Sequence, residues 1–162
     1  MSSSNQQYLE LASFFTLHIK HNQTIGIKPV HADGNSLTLM LPFSQAIVAV
    51  EKRRTISGAA LTALMDSACG TAVVLALGIV QPCPTLDLRI DYVARLEAEK
   101  ALYVCATVQK IERDIVFIRG CAYHDDPQQP VAIGIASFLR FPPKEEDIGI
   151  FDRLLAQFEE QQ

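Results

Sequence analysis

The chain has 162 residues, 49% of them hydrophobic, and carries a net charge of -4 from 14 Lys plus Arg against 18 Asp plus Glu. That apolar content suits one compact domain over 1–162 with a core of its own, and excludes a disordered or low-complexity chain. So few cations leave no broad basic surface for nucleic acid or anionic lipid to occupy, and neither is expected as a partner.

The first residues, MSSSNQQYLELASF, hold no basic region followed by an apolar run, so no secretory signal is expected and the chain reads as cytoplasmic. Over 5–21 the apolar positions Tyr8, Leu11, Ala12, Phe15 and Ile19 recur at three and four residues, which predicts an amphipathic N-terminal helix. His18 and His21 stand three apart on it, a spacing that can share a metal, but no third ligand is nearby in sequence and no metal is expected. The runs TIGIKPV and SLTLMLP are joined by HADGN, whose Asp33, Gly34 and Asn35 form turns readily, so a β-hairpin opens the core at about residue 24.

The loop EKRRT leads into the most apolar part of the chain, ISGAALTALMDSACGTAVVLALG, over 56–78. Its length would span a bilayer. Asp66 at its centre argues against that, because a carboxylate at mid-bilayer costs roughly 2.5–3.5 kcal/mol on the lenient insertion scale. Thr62, Ser67 and Thr71 dilute the stretch further. A helix apolar on all sides is otherwise one enclosed by its own protein, and Gly58, Ala59, Ala60, Ala63, Ala68, Gly70 and Ala72 let a sheet curl closely around it. Strand-like runs follow over 85–93, 101–111, 115–123 and, after the turn HDDPQQP, 131–141. In the first of these, Asp87, Arg89 and Asp91 take one face, for solvent or a subunit contact, while Leu86, Leu88, Ile90 and Tyr92 take the other. Phe151, Leu154, Leu155 and Phe158 recur at helical spacing and predict a C-terminal helix within 144–160. The class is α+β: a mainly antiparallel sheet wrapped around a long central helix, with a core of about 24–141 and added terminal helices.

Cys69, Cys83, Cys105 and Cys121 lie in separate segments with no Cys-x-x-Cys pair, the pattern of reduced thiols rather than of disulfides or zinc. Chemistry therefore centres on Asp66. An apolar setting disfavours its charged form unless hydrogen bonds compensate, and an acid merely satisfied by neighbouring backbone, Ser or Thr groups is the plain alternative. At the helix start Thr55 or Ser57 can serve as N-cap, and Gly58 allows another group to approach the free backbone N–H groups. An oxyanion or a polarised carbonyl would be welcome there. Gly58 and Asp66 are eight residues apart, about 12 Å along one helix, so one small reacting group cannot touch both. Two helices antiparallel across a twofold axis would bring Asp66 of one chain to the Gly58 end of the other, which calls for a dimer.

With these residues the sequence resembles the hotdog-fold thioesterases, in the branch that includes phenylacetyl-CoA thioesterase. There a His-Gly-Gly turn opens the central helix and the catalytic acid follows nine residues after the His; the matching positions here are Ser57, Gly58, Ala59 and Asp66. TLDLRIDYVAR, over 85–95, is similar to the strand that follows the helix, and VAIGIASFLR to the final strand, so the resemblance covers about 40–141. Ser57 stands in place of the motif His, Ala59 in place of its second Gly, and Glu51 near the position of an amide side chain.

The resemblance implies hydrolysis of an acyl-CoA thioester without a cofactor, by a homodimer or a dimer of dimers. Gly58 N–H would polarise the carbonyl, Asp66 of the partner chain would activate water or attack directly, and Thr85 would hydrogen-bond the water or Asp66. Ser57 is a catalytic neighbour or a plain N-cap, and Thr85 a catalytic neighbour or an ordinary β-branched strand residue. Ala59, Glu51, Arg53 and Arg54 are the candidate substrate contacts; the cations of Lys52 to Arg54 meet CoA phosphates or form a solvated loop. A hotdog domain that binds acyl-CoA or a protein partner without turnover is the second reading. Dehydratase chemistry is disfavoured because no His falls between His31 and His124, and no Gly-x-Ser-x-Gly elbow or phosphate-binding glycine loop is present.

Overall fold

The architecture was taken from a computed structural model, which describes residues 3–50, 52 and 54–159. The N-terminal periodicity forms α1 (Ser3–His18), which buries Leu11 and Ala12 and packs Tyr8, Leu9 and Phe15 against the core. The single predicted helix is broken at Ile19, which is extended (φ -85°, ψ 108°) before a short α2 (Lys20–Ile25). The break turns Asn22 inward: it is 1% exposed, and its amide donates to the Thr16 carbonyl at 3.2 Å. Gly26, in the left-handed region at φ 81°, ends α2 by donating to the Asn22 carbonyl, so Thr24 and Ile25 belong to a helix and not to the expected strand.

The hairpin follows as β1 (Lys28–Ala32) and β2 (Ser36–Leu41). Asp33 holds its turn by accepting from the backbone N–H groups of Asn35 and Ser36 at 2.8 and 2.7 Å. A short ribbon that the sequence reading did not foresee, β3 (Val48–Val50) with β4 (Thr55–Ile56), delivers the chain to α3 (Gly58–Leu77). Then come β5 (Thr85–Tyr92), β6 (Leu102–Ile111), β7 (Ile115–Tyr123) and β8 (Ala132–Leu139), each within two residues of the predicted bounds. A 3-10 turn at Glu145–Asp147 and Gly149 (φ 76°) precede α4 (Ile150–Glu159), whose Phe151 is buried. The predicted C-terminal helix thus begins later than residue 144, while the side chains of Leu155 and Phe158, and residue 160, lie outside the described ones.

The six long strands form one antiparallel sheet in the order β1-β2-β6-β7-β8-β5. Alternate residues of β6, β7 and β8 are buried, and this inner face wraps α3. Gly120 and Gly134 sit opposite each other on β7 and β8, where a Cβ would stand 2.2 and 2.8 Å from Met65 Sδ. Lacking one, the sheet closes directly onto the helix. Gly58–Leu77 is long and apolar enough to cross a membrane, but 61% of its most apolar window is buried inside its own chain, which is what a core helix shows.

At one end of the sheet β5 pairs only with β8 among the described residues. Its Leu86 and Tyr92 are each 52% exposed and the following Val93 54%. Leu88 and Ile90 alone of the expected apolar face are half-buried. On the other face Arg89 pairs with Asp91 at 3.0 Å.

Candidate active site

Two places on α3 carry chemistry. The first is Asp66, which points to an open cleft of about 280 Å³. The cleft runs along the α3 face of Asp66, Ser67, Gly70, Thr71 and Val74; the segment Cys83 to Thr85 and Phe138 line it on the sheet side, and Phe15 of α1 and Ile19 at the break after it on the other. Asp66 is half-buried rather than sequestered, because α1 and the start of β5 leave a gap over it. Its Oδ1 accepts a hydrogen bond from Thr85 Oγ1 at 2.7 Å, so the two residues matched by resemblance meet in one chain. Among the described residues no hydrogen bond reaches Asp66 Oδ2, which leaves that oxygen available to a water.

One turn further along, Cys69 lies in the core, where burial first and the neighbouring Asp66 charge second push its thiol up to about 12. Burial raises Cys83 too, against the Arg140 charge. Both stay protonated near neutral pH, so neither supplies a thiolate nucleophile. Beneath the cleft Ser67 Oγ donates to Asn22 Oδ1 at 3.0 Å, tying α2 to the residue that follows Asp66. Asn22 and the α1 wall escaped the sequence reading: a pairing across 45 positions leaves no local trace. Only the polar Asn within an otherwise helical pattern could have marked it.

The second place is the head of α3. Ser57 is its N-cap: the hydroxyl accepts from Ala59 N–H at 3.2 Å and the backbone N–H donates to the Ile47 carbonyl at 2.7 Å. Ala59 N–H is thereby taken, whereas no partner of Gly58 N–H is found among the described residues. That donor sits at the positive end of a 20-residue helix. Tyr92 Oη lies 3.5 Å from the Gly58 carbonyl, and a Cβ on Gly58 would come within 2.9 Å of it, so Tyr92 borders the head.

Arg54 precedes the head in the left-handed region (φ 47°), and its guanidinium pairs with Glu99, also left-handed at φ 73°. In this arrangement Arg54 is engaged by an acid and does not line the Asp66 cleft, while Lys52 is exposed. Glu51 and Arg53 lie outside the described residues. No group of three or more His, Cys, Asp or Glu side chains is assembled among the described residues; His18 Nδ1 is 2.9 Å from the Phe14 carbonyl.

Comparison with known proteins agrees with this layout. The family profile described as the thioesterase superfamily matches residues 54–131, from the head of α3 to the start of β8. A solved Pseudomonas aeruginosa protein is 41% identical, with 83% of this chain and 99% of that one covered at a TM-score of 0.76. A Bordetella protein described as being from the thioesterase superfamily is 25% identical over 83% and 98% of the two chains, again at 0.76. The Escherichia coli PaaI protein, from the phenylacetic acid degradation operon, is 15% identical over 88% and 99% at 0.73, a likeness of fold. No curated protein matches. The chain belongs to the thioesterase superfamily and has its hotdog fold, a sheet wrapped around one long helix.

Proposed function

We propose that this protein hydrolyses acyl-CoA thioesters at two equivalent sites shared between the subunits of a homodimer. The observation that carries the reading is the Asp66–Thr85 hydrogen bond at an apolar cleft, with a Gly58 N–H that has no partner among the described residues about 12 Å away on the same helix. That separation suits two chains related by a twofold axis and not one. The edge of β5, unpaired among the described residues and with Leu86 and Tyr92 exposed, is the surface on which a second chain would continue the sheet. Tyr92 lies beside Gly58, so pairing there brings the partner's cleft toward the helix head.

In the proposed reaction the thioester carbonyl accepts a hydrogen bond from Gly58 N–H of the partner subunit. Asp66 takes a proton from a water that attacks the carbonyl carbon. The negative charge that develops on oxygen is held by the positive end of the helix. Collapse of the tetrahedral intermediate breaks the C–S bond, CoA leaves with the proton that Asp66 holds, and a carboxylic acid remains. Thr85 fixes the carboxylate rotamer. The alternative mechanism, direct attack by Asp66, passes through an anhydride that water then opens.

The second reading, acyl-CoA binding without turnover, is favoured by one feature: Ser57 spends its hydroxyl on the helix cap, so the head offers no side-chain base. A panel of acyl-CoA substrates with a thiol-detecting dye decides between the two. The enzyme reading expects CoA release by the parent and a loss of about 10²–10⁴-fold in Asp66→Asn. Equal release by that variant refutes the assigned role of Asp66. No release by the parent, together with a melting temperature raised by acyl-CoA, makes the protein a binder.

A further inference from the structure

The cleft beside Asp66 is lined by residues of one chain, and part of its wall lies outside residues 54–131, the stretch that the family profile matches. Phe15 and Ile19, four residues apart on the N-terminal helical segment, stand there, and Phe138 of β8 completes the lining. The wall is fastened in place: the buried Asn22 amide spans from the Thr16 carbonyl to the hydroxyl of Ser67, the neighbour of Asp66. Gly70 lies one helical turn beyond Asp66 on the same face. A glycine inside a helix is less favourable than alanine. Here a Cβ would stand 3.4 Å from Phe138 Cε1, on the side that lines the cleft. The missing side chain leaves room between α3 and Phe138 on that side. Ile19, 45% exposed, flanks it from the break between α1 and α2.

We infer that this slot is the acyl subsite, that it takes an uncharged acyl chain of medium length or a single aromatic ring, and that Gly70 and Ile19 limit its size. Size and charge both point there. The open slot of about 280 Å³ is more than an acetyl group fills and lies just below the roughly 300–1,000 Å³ of pockets that take drug-sized ligands. Its lining contains an acid and no Lys or Arg, and the Arg140 charge that reaches Cys83 lies outside that lining, so an acyl group ending in a second carboxylate meets the like charge of Asp66 first. The inference rests on the thioesterase reading for the reaction, but the slot itself can be tested without turnover.

The test compares kcat/KM for acetyl-, butanoyl-, octanoyl-, benzoyl- and succinyl-CoA in the parent, Gly70→Ala, Gly70→Val, Ile19→Ala and Ile19→Trp. Octanoyl-CoA is expected to exceed both acetyl- and succinyl-CoA in the parent. The octanoyl-to-butanoyl ratio is expected to fall about 10-fold or more in Gly70→Val and Ile19→Trp, and to rise in Ile19→Ala. Gly70→Ala should give a smaller fall with a melting temperature no lower than the parent's, which separates narrowing from misfolding. Ratios that stay constant while all substrates turn over, or a parent that prefers succinyl-CoA, overturn the inference and leave the thioesterase reading standing. If no substrate is hydrolysed, the reaction is refuted and octanoyl-CoA binding by calorimetry decides the slot. Binding lost in Gly70→Val supports it, and binding unchanged or absent in the parent refutes it.

Discussion

At the scale of single residues, the Asp66 carboxylate owes its position to a local compromise. Asp66 stands on a core helix, yet its side chain leaves the core through the gap between α1 and β5 and meets the Thr85 hydroxyl. A hydrogen bond to a charged group contributes about 1.5–3 kcal/mol, so Thr85→Ala is expected to lower kcat by roughly 10-fold or more with a smaller change in KM, while Thr85→Ser retains most activity. Steady-state kinetics of the pair check this. One turn away, Cys69 shows what full burial does to an ionisable group. Its thiol, pushed up to about 12, stays protonated in the folded chain where the unfolded chain has lost the proton. The folded state then binds more protons between about pH 9 and 12. Stability is complete below pH 9 and falls as pH rises, by up to about 1.4 kcal/mol per unit. Denaturant midpoints from pH 8 to 11 should show that slope, and Cys69→Ala should flatten it even while lowering the absolute stability.

At the scale of elements, the contact between α3 and the sheet depends on two glycines paired across β7 and β8. A methyl at Gly120 would stand 2.2 Å from Met65 Sδ, so Gly120→Ala forces an overpacked core and is expected to cost about 1–3 kcal/mol. Met65→Ala in the same chain should recover part of that loss, and a double-mutant cycle by denaturation measures the coupling. These elements were largely legible in the sequence because their signals are local. The alternation that marks β6 to β8 and the apolar run of α3 need no knowledge of the remainder of the chain. What was not legible depended on distant partners: the break at Ile19, which is stabilised by Asn22 meeting Ser67, and the two-residue strand β4, which is held to β3. The same limit applied to the site. Asp66, Gly58 and Thr85 stood out by chemistry and by position in a familiar motif. The wall made by Phe15 and Ile19 did not, since periodicity alone presents both as ordinary core-facing residues.

At the scale of the whole molecule, the proposed reaction divides one chain into two half-sites set apart along a helix. The acid and its slot lie beside the middle of α3, and the Gly58 N–H, without a partner among the described residues, lies at its head. The exposed β5 edge is the joint through which two copies would complete each other, and a charge placed there should separate them. Leu86→Lys with Tyr92→Lys is expected to yield monomers by light scattering and to abolish turnover together with assembly. The most direct measurement is subunit complementation. Asp66→Asn and Gly58→Val homodimers, each inactive, are mixed under conditions that allow subunit exchange. A mixed dimer then holds one site built from an intact Asp66 and the other chain's intact Gly58. Equal mixing should restore about a quarter of the parental activity. Exchange that proceeds, as mass spectrometry of the mixed dimers would show, without any recovery of CoA release would contradict a site shared across the twofold axis.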